Sequence, residues 1–361
     1  MHRTSSLALC ALSLGALALQ PACSRRRRDE TDHSTPAARP VPSPATPSPS
    51  PAAPEQAPTP PAPPPAPAAP VTLQRAITVG RWPEGISAQG DELWVAESGA
   101  RTISHFDIGA GTALGSVRAG RLPIRVHAAA DGTVQAVSGT DQTVWLRPPG
   151  SPTATALARL PDYPQDVVWS DDGTLWALLW TGGSSAAGAV VRLAPGARDV
   201  TQVATVGANA FALAVTAGKV WVLLRDEGVV PIDIATGQAA PTVAIPGFHT
   251  QMTACANGVY VSDRDAVIRV DPATASVSGR QTLVGGARAM TCGEGGALWV
   301  VGDAGRIAKL DPTSLAVQSS FTPTTSFTPT SATVVGGSLL VATHAYEDGD
   351  AAGAVLVFNA P

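Results

Sequence analysis

The densest set of metal-ligating side chains in this 361-residue chain is the run His344-Ala345-Tyr346-Glu347-Asp348-Gly349-Asp350. It offers an imidazole and three carboxylates, and Gly349 permits a tight turn. The spacing is not that of an EF-hand loop, which alternates its ligands and ends on a distant glutamate. Asp348 and Asp350 are weak metal candidates on that ground. No cofactor is expected, and a divalent cation in this loop is the alternative. His105, His127 and His249 lie far apart with no His-x-Glu spacing. There is no Gly-x-Ser-x-Gly elbow and no Gly-rich loop opening a helix, so neither a hydrolase nucleophile nor phosphate binding is indicated. Asp162 with Asp166, or Glu84 with Glu97, could in principle form acid–base pairs, but any set of carboxylate-bearing loops offers such pairs.

What positions these residues is a repeat. Leu93-Trp94-Val95-Ala96 returns as Leu175-Trp176-Ala177-Leu178, Val220-Trp221-Val222-Leu223 and Leu298-Trp299-Val300-Val301. Degenerate copies centre on Gln135, Tyr260 and Leu340. Successive second positions are separated by 41, 41, 45, 39, 39 and 41 residues. A period near 40 around a strand-like core is the mark of a propeller blade. Each repeat reads as four short strands joined by Gly- and Asp-rich turns. The last repeat, from about residue 330, holds only three strands, and a lone strand-like piece at residues 71–79 precedes the first. The expected fold is therefore all-β: a seven-bladed propeller of four-stranded antiparallel blades, with the N-terminal strand completing blade 7. The repeated tryptophans then lie between sheets as packing, and Asp107, Asp233, Asp271 and Asp311, each ending a third strand, start turns.

Segments such as Trp94-Val95-Ala96 with Ile103-Ser104-His105-Phe106-Asp107, and Val267-Ile268-Arg269-Val270-Asp271-Pro272-Ala273-Thr274, resemble the YVTN-type repeat propellers and the streptogramin lyase-like propellers. The resemblance covers about residues 71–361 and implies blade geometry rather than an activity. Streptogramin lyases use a His/Glu set with a divalent metal, and no counterpart of that set can be placed in this sequence. In a propeller, the blade-to-blade connections and the loops joining second to third strands share the face around the channel mouth. Blade starts bring Glu84, Arg125, Asp166, Gln251 and Arg288 there. The second-to-third loops bring Glu97, Arg101, Asp226, Glu227, Asp263, Asp265, Asp303, Arg306 and the run from His344. Glu84, Arg125, Asp166, Gln251, Arg288, His344 and Glu347 are the ligand-binding candidates. The alternative is that neighbours such as Arg125 and Asp166 simply pair.

Of four cysteines, Cys10 lies in an apolar leader and Cys23 follows it, while Cys255 and Cys292 end the first strands of blades 5 and 6. Those two form a disulfide or remain buried free thiols. A bridge needs Cα atoms within about 7 Å, and neighbouring inner strands sit near that limit.

Residues 1–23 read as an export signal, with a short positive start and an apolar run too short to span a bilayer. Leu19-Gln20-Pro21-Ala22-Cys23-Ser24 resembles a bacterial lipoprotein box with Cys23 as the lipidated residue. Four arginines at 25–28 follow, and they would either meet anionic headgroups or form a solvated run. Residues 24–70 are expected to be a disordered tether, Arg-rich and then Pro/Ala/Ser-rich, that holds the propeller (71–361) away from its anchor. The net charge of −4 carries no basic field for nucleic acid. The expected partner is an envelope protein or small ligand, with membrane contact through the lipid anchor alone, and a monomer is expected. The reading is an exported, lipid-anchored, non-enzymatic binding or scaffold module in the periplasm or at the outer surface. The alternative is a metal-assisted lyase or lactone hydrolase at the channel mouth.

Overall fold

The computed structural model describes residues 70–180, 187–255, 258–344 and 352–360. The chain divides into two units, Met1–Pro63 and Pro64–Pro361, and all described residues belong to the second. The signal at 1–23, Cys23, the tether through residue 69, Glu347, Asp348 and Asp350 lie outside the described residues. Among the described residues no helix is long and apolar enough to cross a membrane.

Seven four-stranded antiparallel sheets form the fold. Blade 1 runs Pro83–Gln89, Glu92–Glu97, Thr102–Asp107 and Ala113–Arg118, from the innermost strand to the outermost. The inner strands of blades 2 to 7 are Pro123–Ala128, Tyr163–Trp169, Ala210–Thr216, Met252–Cys255, Ala289–Cys292 and Thr328–Val335. Blade 4 ends on an outer strand of only two residues, Val243–Ala244.

The closure expected from the sequence is present. The strand Leu73–Val79 is the outer strand of blade 7 and pairs with Gly353–Asn359, Leu73 opposite Phe358 and Val79 opposite Gly353. Asn359 secures the junction: its amide nitrogen donates to the Thr72 carbonyl at 3.1 Å and its side-chain nitrogen to the Pro70 carbonyl at 3.1 Å. A ring closed this way leaves the third strand of blade 7, Gly353–Asn359, with no unpaired outer edge.

Second strands are apolar without alternation because a neighbouring blade covers each of their faces. Five consecutive residues, Leu93 to Glu97, are buried, whereas the outer strand Ala113–Arg118 is exposed everywhere except at Val117. Seven apolar clusters form, one at each junction between neighbouring blades, the blade 7–blade 1 junction included. Trp94, Trp176, Trp221 and Trp299 each fill the junction with the following blade, and Tyr260 does the same between blades 5 and 6. The repeated tryptophan is thus the filler of an inter-sheet core, as its register implied.

Polar links reinforce the junctions. The Tyr260 hydroxyl donates to the Pro312 carbonyl at 2.6 Å, Trp169 Nε1 to Gln135 Oε1 at 2.9 Å, and the Thr330 hydroxyl to the Pro83 carbonyl at 2.6 Å. Cys255 and Cys292 are bridged, with Cα atoms 5.7 Å apart, and join the inner strands of blades 5 and 6. The four third-strand aspartates start turns: Asp233 accepts from the Thr236 amide at 2.8 Å, Asp271 from Ala273 at 2.8 Å, Asp311 from Ser314 at 2.7 Å, and Asp107 from Ala110 at 2.5 Å. At Asp233, Asp271 and Asp311 these amide bonds hold the carboxyl pKa below its usual value.

Candidate functional site

The channel-mouth ends of the inner strands share a local distortion. Pairing with the second strand slips between Pro83 and Gly85, Pro123 and Arg125, Pro164 and Asp166, Ala210 and Ala212, and Pro329 and Ser331. The residues skipped are Glu84, Ile124, Gln165, Phe211 and Thr330. A bulge leaves its extra residue outside the ladder and re-aims the side chain. Proline stands just before four of these bulges, at a strand start where a missing amide hydrogen is tolerated. In these five blades the device fixes which residue turns out of the sheet at this end. Glu84 is such a residue, whereas Arg125 and Asp166 are the in-register neighbours of Ile124 and Gln165.

Arg125 and Asp166 are brought together: Arg125 Nη2 donates to Asp166 Oδ1 at 2.9 Å, and the second oxygen of Asp166 accepts the backbone amide of Leu213 at 2.8 Å. Asp166 is 8% exposed, so one carboxylate ties together blades 2, 3 and 4. Glu97, 3% exposed, accepts from the Gly80 amide at 2.6 Å and from the hydroxyls of Thr102 and Ser104 at 2.8 and 2.7 Å. Both carboxylates are structural, which removes the Asp162–Asp166 and Glu84–Glu97 acid–base pairings. Arg288 donates to Asp303 at 2.6 Å and Arg280 to Asp263 at 2.8 Å. Gln251 exchanges backbone bonds with Ser262, its amide donating to the hydroxyl at 2.9 Å and its carbonyl accepting from the Ser262 amide at 2.9 Å.

Glu84 and His344 meet across the junction of blades 7 and 1, with His344 Nε2 3.9 Å from Glu84 Oε1. That separation is too long for a hydrogen bond, and the Glu84 carboxylate instead accepts from the Ser98 hydroxyl at 3.2 Å. Burial, reinforced by the Glu84 charge and opposed by Arg125, raises the pKa of the Tyr163 phenol. Among the described residues no three His, Cys, Asp or Glu side chains converge as a metal site would require. Glu84 and His344 alone do not make a metal-holding set.

The remaining histidines among the described residues serve packing. His105 stacks on Trp94 with centroids 4.0 Å apart and lies 3.2 Å from Glu92; burial lowers its pKa, against the raising effect of Glu92. His127 stacks on Trp169 at 5.1 Å, and burial lowers its pKa too. His249 is fully buried, its ring nitrogens 2.9 Å from the Ser262 carbonyl and 2.8 Å from the Ile245 carbonyl.

An open cleft of about 820 Å³ lies between blades 6 and 7. Phe321, Phe327, Phe358 and Leu356 line it, with the hydroxyls of Thr328 and Thr343, and His344 borders it.

Aromatic side chains were missed as site residues by the charge-based reading. Trp82 is 49% exposed, Trp180 50% and Phe248 42%. Trp82 and Phe248 lie on blade-to-blade connections and Trp180 ends a second strand, so all three belong to the channel-mouth face. Exposed aliphatic residues such as Leu73, Leu114, Val277 and Val317 instead sit on outer strands. The available signal was positional: Trp180 follows the strand core Leu175-Trp176-Ala177-Leu178-Leu179, and Trp82 precedes Pro83.

Fold and face together define a closed seven-bladed β-propeller with a loop-rich, aromatic channel mouth. Its fold matches that of virginiamycin B lyase from Staphylococcus aureus, at a TM-score of 0.65 and 13% identity over 80% of this chain and 99% of that one. A catalytically inactive variant of that lyase, crystallised with quinupristin, matches equally well at 14% identity, with the same shares of the two chains covered. Hydrazine synthase from Kuenenia stuttgartiensis matches at a TM-score of 0.62 and 13% identity, covering 77% of this chain and 95% of that one. At such identities the likeness is one of fold. The sequence matches no protein-family model and no curated relative.

Proposed function

We propose that the protein is an exported, lipid-anchored binding module of a bacterial envelope, and that it meets its partner through the channel-mouth face. The observation that carries this reading is the segregation of exposed side chains: Trp82, Trp180 and Phe248 are presented on that one face. Exposed aromatic side chains are the usual anchors of recognition surfaces. Arg125, Arg280 and Arg288 are engaged with carboxylates of the fold itself, which suits a contact surface better than a reaction centre. The export signal, Cys23 and the Pro-rich tether supply the address and the reach.

The test compares full-length protein with a Trp82→Ala/Trp180→Ala variant in envelope crosslinking and capture. The expected result is a partner retained by the wild type and lost by an equally stable variant; equal capture by both overturns the reading.

The second reading, a metal-assisted lyase or lactone hydrolase, is favoured by the Glu84–His344 approach at the channel mouth. It expects turnover of quinupristin that depends on an added divalent cation and disappears in Glu84→Gln. No turnover of quinupristin, with or without the added cation, removes it.

A further inference from the structure

Arg225 differs from the other arginines of the channel-mouth face. It directly follows the second strand of blade 4, Lys219–Leu224. Its backbone is pinned between two blade connections: its amide donates to the Asn209 carbonyl at 3.0 Å and its carbonyl accepts from the His249 amide at 2.9 Å. The guanidinium lies over the ring of Phe211, 3.9 Å from the centroid, with Phe248 5.1 Å away. Phe211 is the bulged residue of its inner strand. Among the described residues the Arg225 side chain makes no ion pair and no hydrogen bond, and its Nε is sealed from solvent without a partner. Asp226 and Glu227 come next in sequence and are exposed, and neither reaches it.

A guanidinium taken partly out of water normally has an acid beside it, because an unpaired charge there is costly. Arg125 obeys that rule with Asp166. Arg225 instead has two aromatic contacts, which orient the planar group and favour its charge but satisfy none of its donors. The side chain as a whole is only partly buried, so the outer edge of the fork remains open to an incoming group. A planar carboxylate matches that fork with two parallel bonds. The phenyl walls select a carboxylate borne on an apolar body over a strongly hydrated anion.

We propose that Arg225, Phe211 and Phe248 form a carboxylate-binding clamp for a ligand with an apolar or aromatic body. The inference rests on the reading of this face as the contact surface and names the chemistry it recognises. The source is either a small carboxylic acid or the C-terminus of a peptide.

Calorimetric titration of the full chain with N-acetyl-phenylalanine and with its uncharged amide tests the clamp. The free acid is expected to bind about tenfold or more tightly than the amide. Arg225→Gln should abolish that preference, and Phe248→Ala, at an exposed position, should weaken acid binding without lowering the melting temperature. A tripeptide ending in phenylalanine that binds more tightly than the single residue assigns a chain terminus, and equal binding assigns a small acid. Equal binding of acid and amide, no binding of either, unchanged binding in Arg225→Gln, or displacement of the acid by equimolar inorganic phosphate overturns the clamp. Envelope capture separates the two readings. Capture that survives Arg225→Gln but not Trp82→Ala/Trp180→Ala defeats the clamp alone, and capture that survives both defeats the contact face.

Discussion

Asp166 accepts from Arg125 and from a backbone amide of the next blade, so its removal strands two donors at once. Asp166→Ala is expected to cost about 1 to 3 kcal/mol, the usual penalty for leaving a buried amide unpaired, and Arg125→Ala less, because Arg125 is partly solvated. Denaturant midpoints of the two variants check the order. Trp94→Ala removes the filler of the blade 1–blade 2 junction and should cost about 3 to 5 kcal/mol, with ligand affinity of the surviving folded protein unchanged. His127 and His105 have folded pKa values below the free value of 6.5, so the unfolded chain takes up protons first. Their contribution is full above about pH 6.5 and is lost as pH falls toward the lower folded values. Urea midpoints should therefore decline from pH 7.5 to pH 5, and His127→Phe, which keeps an aromatic ring on Trp169 but cannot titrate, should flatten the decline.

At the scale of the element, the disulfide and the closing strand are open to test. Cys255 and Cys292 are 37 residues apart, and a loop of that size implies about 3 to 4 kcal/mol of stabilisation on the chain-entropy account. Reductant should lower the melting temperature, and Cys255→Ser/Cys292→Ser should reproduce that shift and remove the sensitivity. Deleting residues 71–79 strips blade 7 of its outer strand and should lower solubility or blunt the unfolding transition; an unchanged melt would discount the closure. Both features were partly legible beforehand. Blade number and closure were readable because Trp94, Trp176, Trp221 and Trp299 mark one strand position, and because the last repeat lacks a strand that residues 71–79 resemble. The bridge stayed undecided because sequence places two cysteines at equivalent strand ends but does not set the distance between blades. The site was legible only in its charges. Glu84, Arg125 and Asp166 all stand near blade starts, and only their offset from the recurring proline, one residue for Glu84 and two for the others, marks the bulge that separates them. Arg225 draws its meaning from Phe248, which lies beyond the end of the same blade, in the connection to blade 5.

For the whole molecule, seven junction clusters of similar make-up, with none left open, imply that no blade is stable far from its neighbours. A single cooperative transition, coincident by circular dichroism and by tryptophan fluorescence, is the expected behaviour. The junction sealed by Asn359 has a temporal consequence. Its partner, Pro70, is 289 residues away in the chain. A polypeptide crossing a membrane amino end first would deliver the closing strand early and its mate last. The leading strand would wait with an unsatisfied edge while the intervening blades accumulate, and contacts of such long range form slowly. If the chain is exported as proposed, its vulnerable period falls between secretion and the arrival of the strand Gly353–Asn359, when a chaperone of the receiving compartment would have most to do.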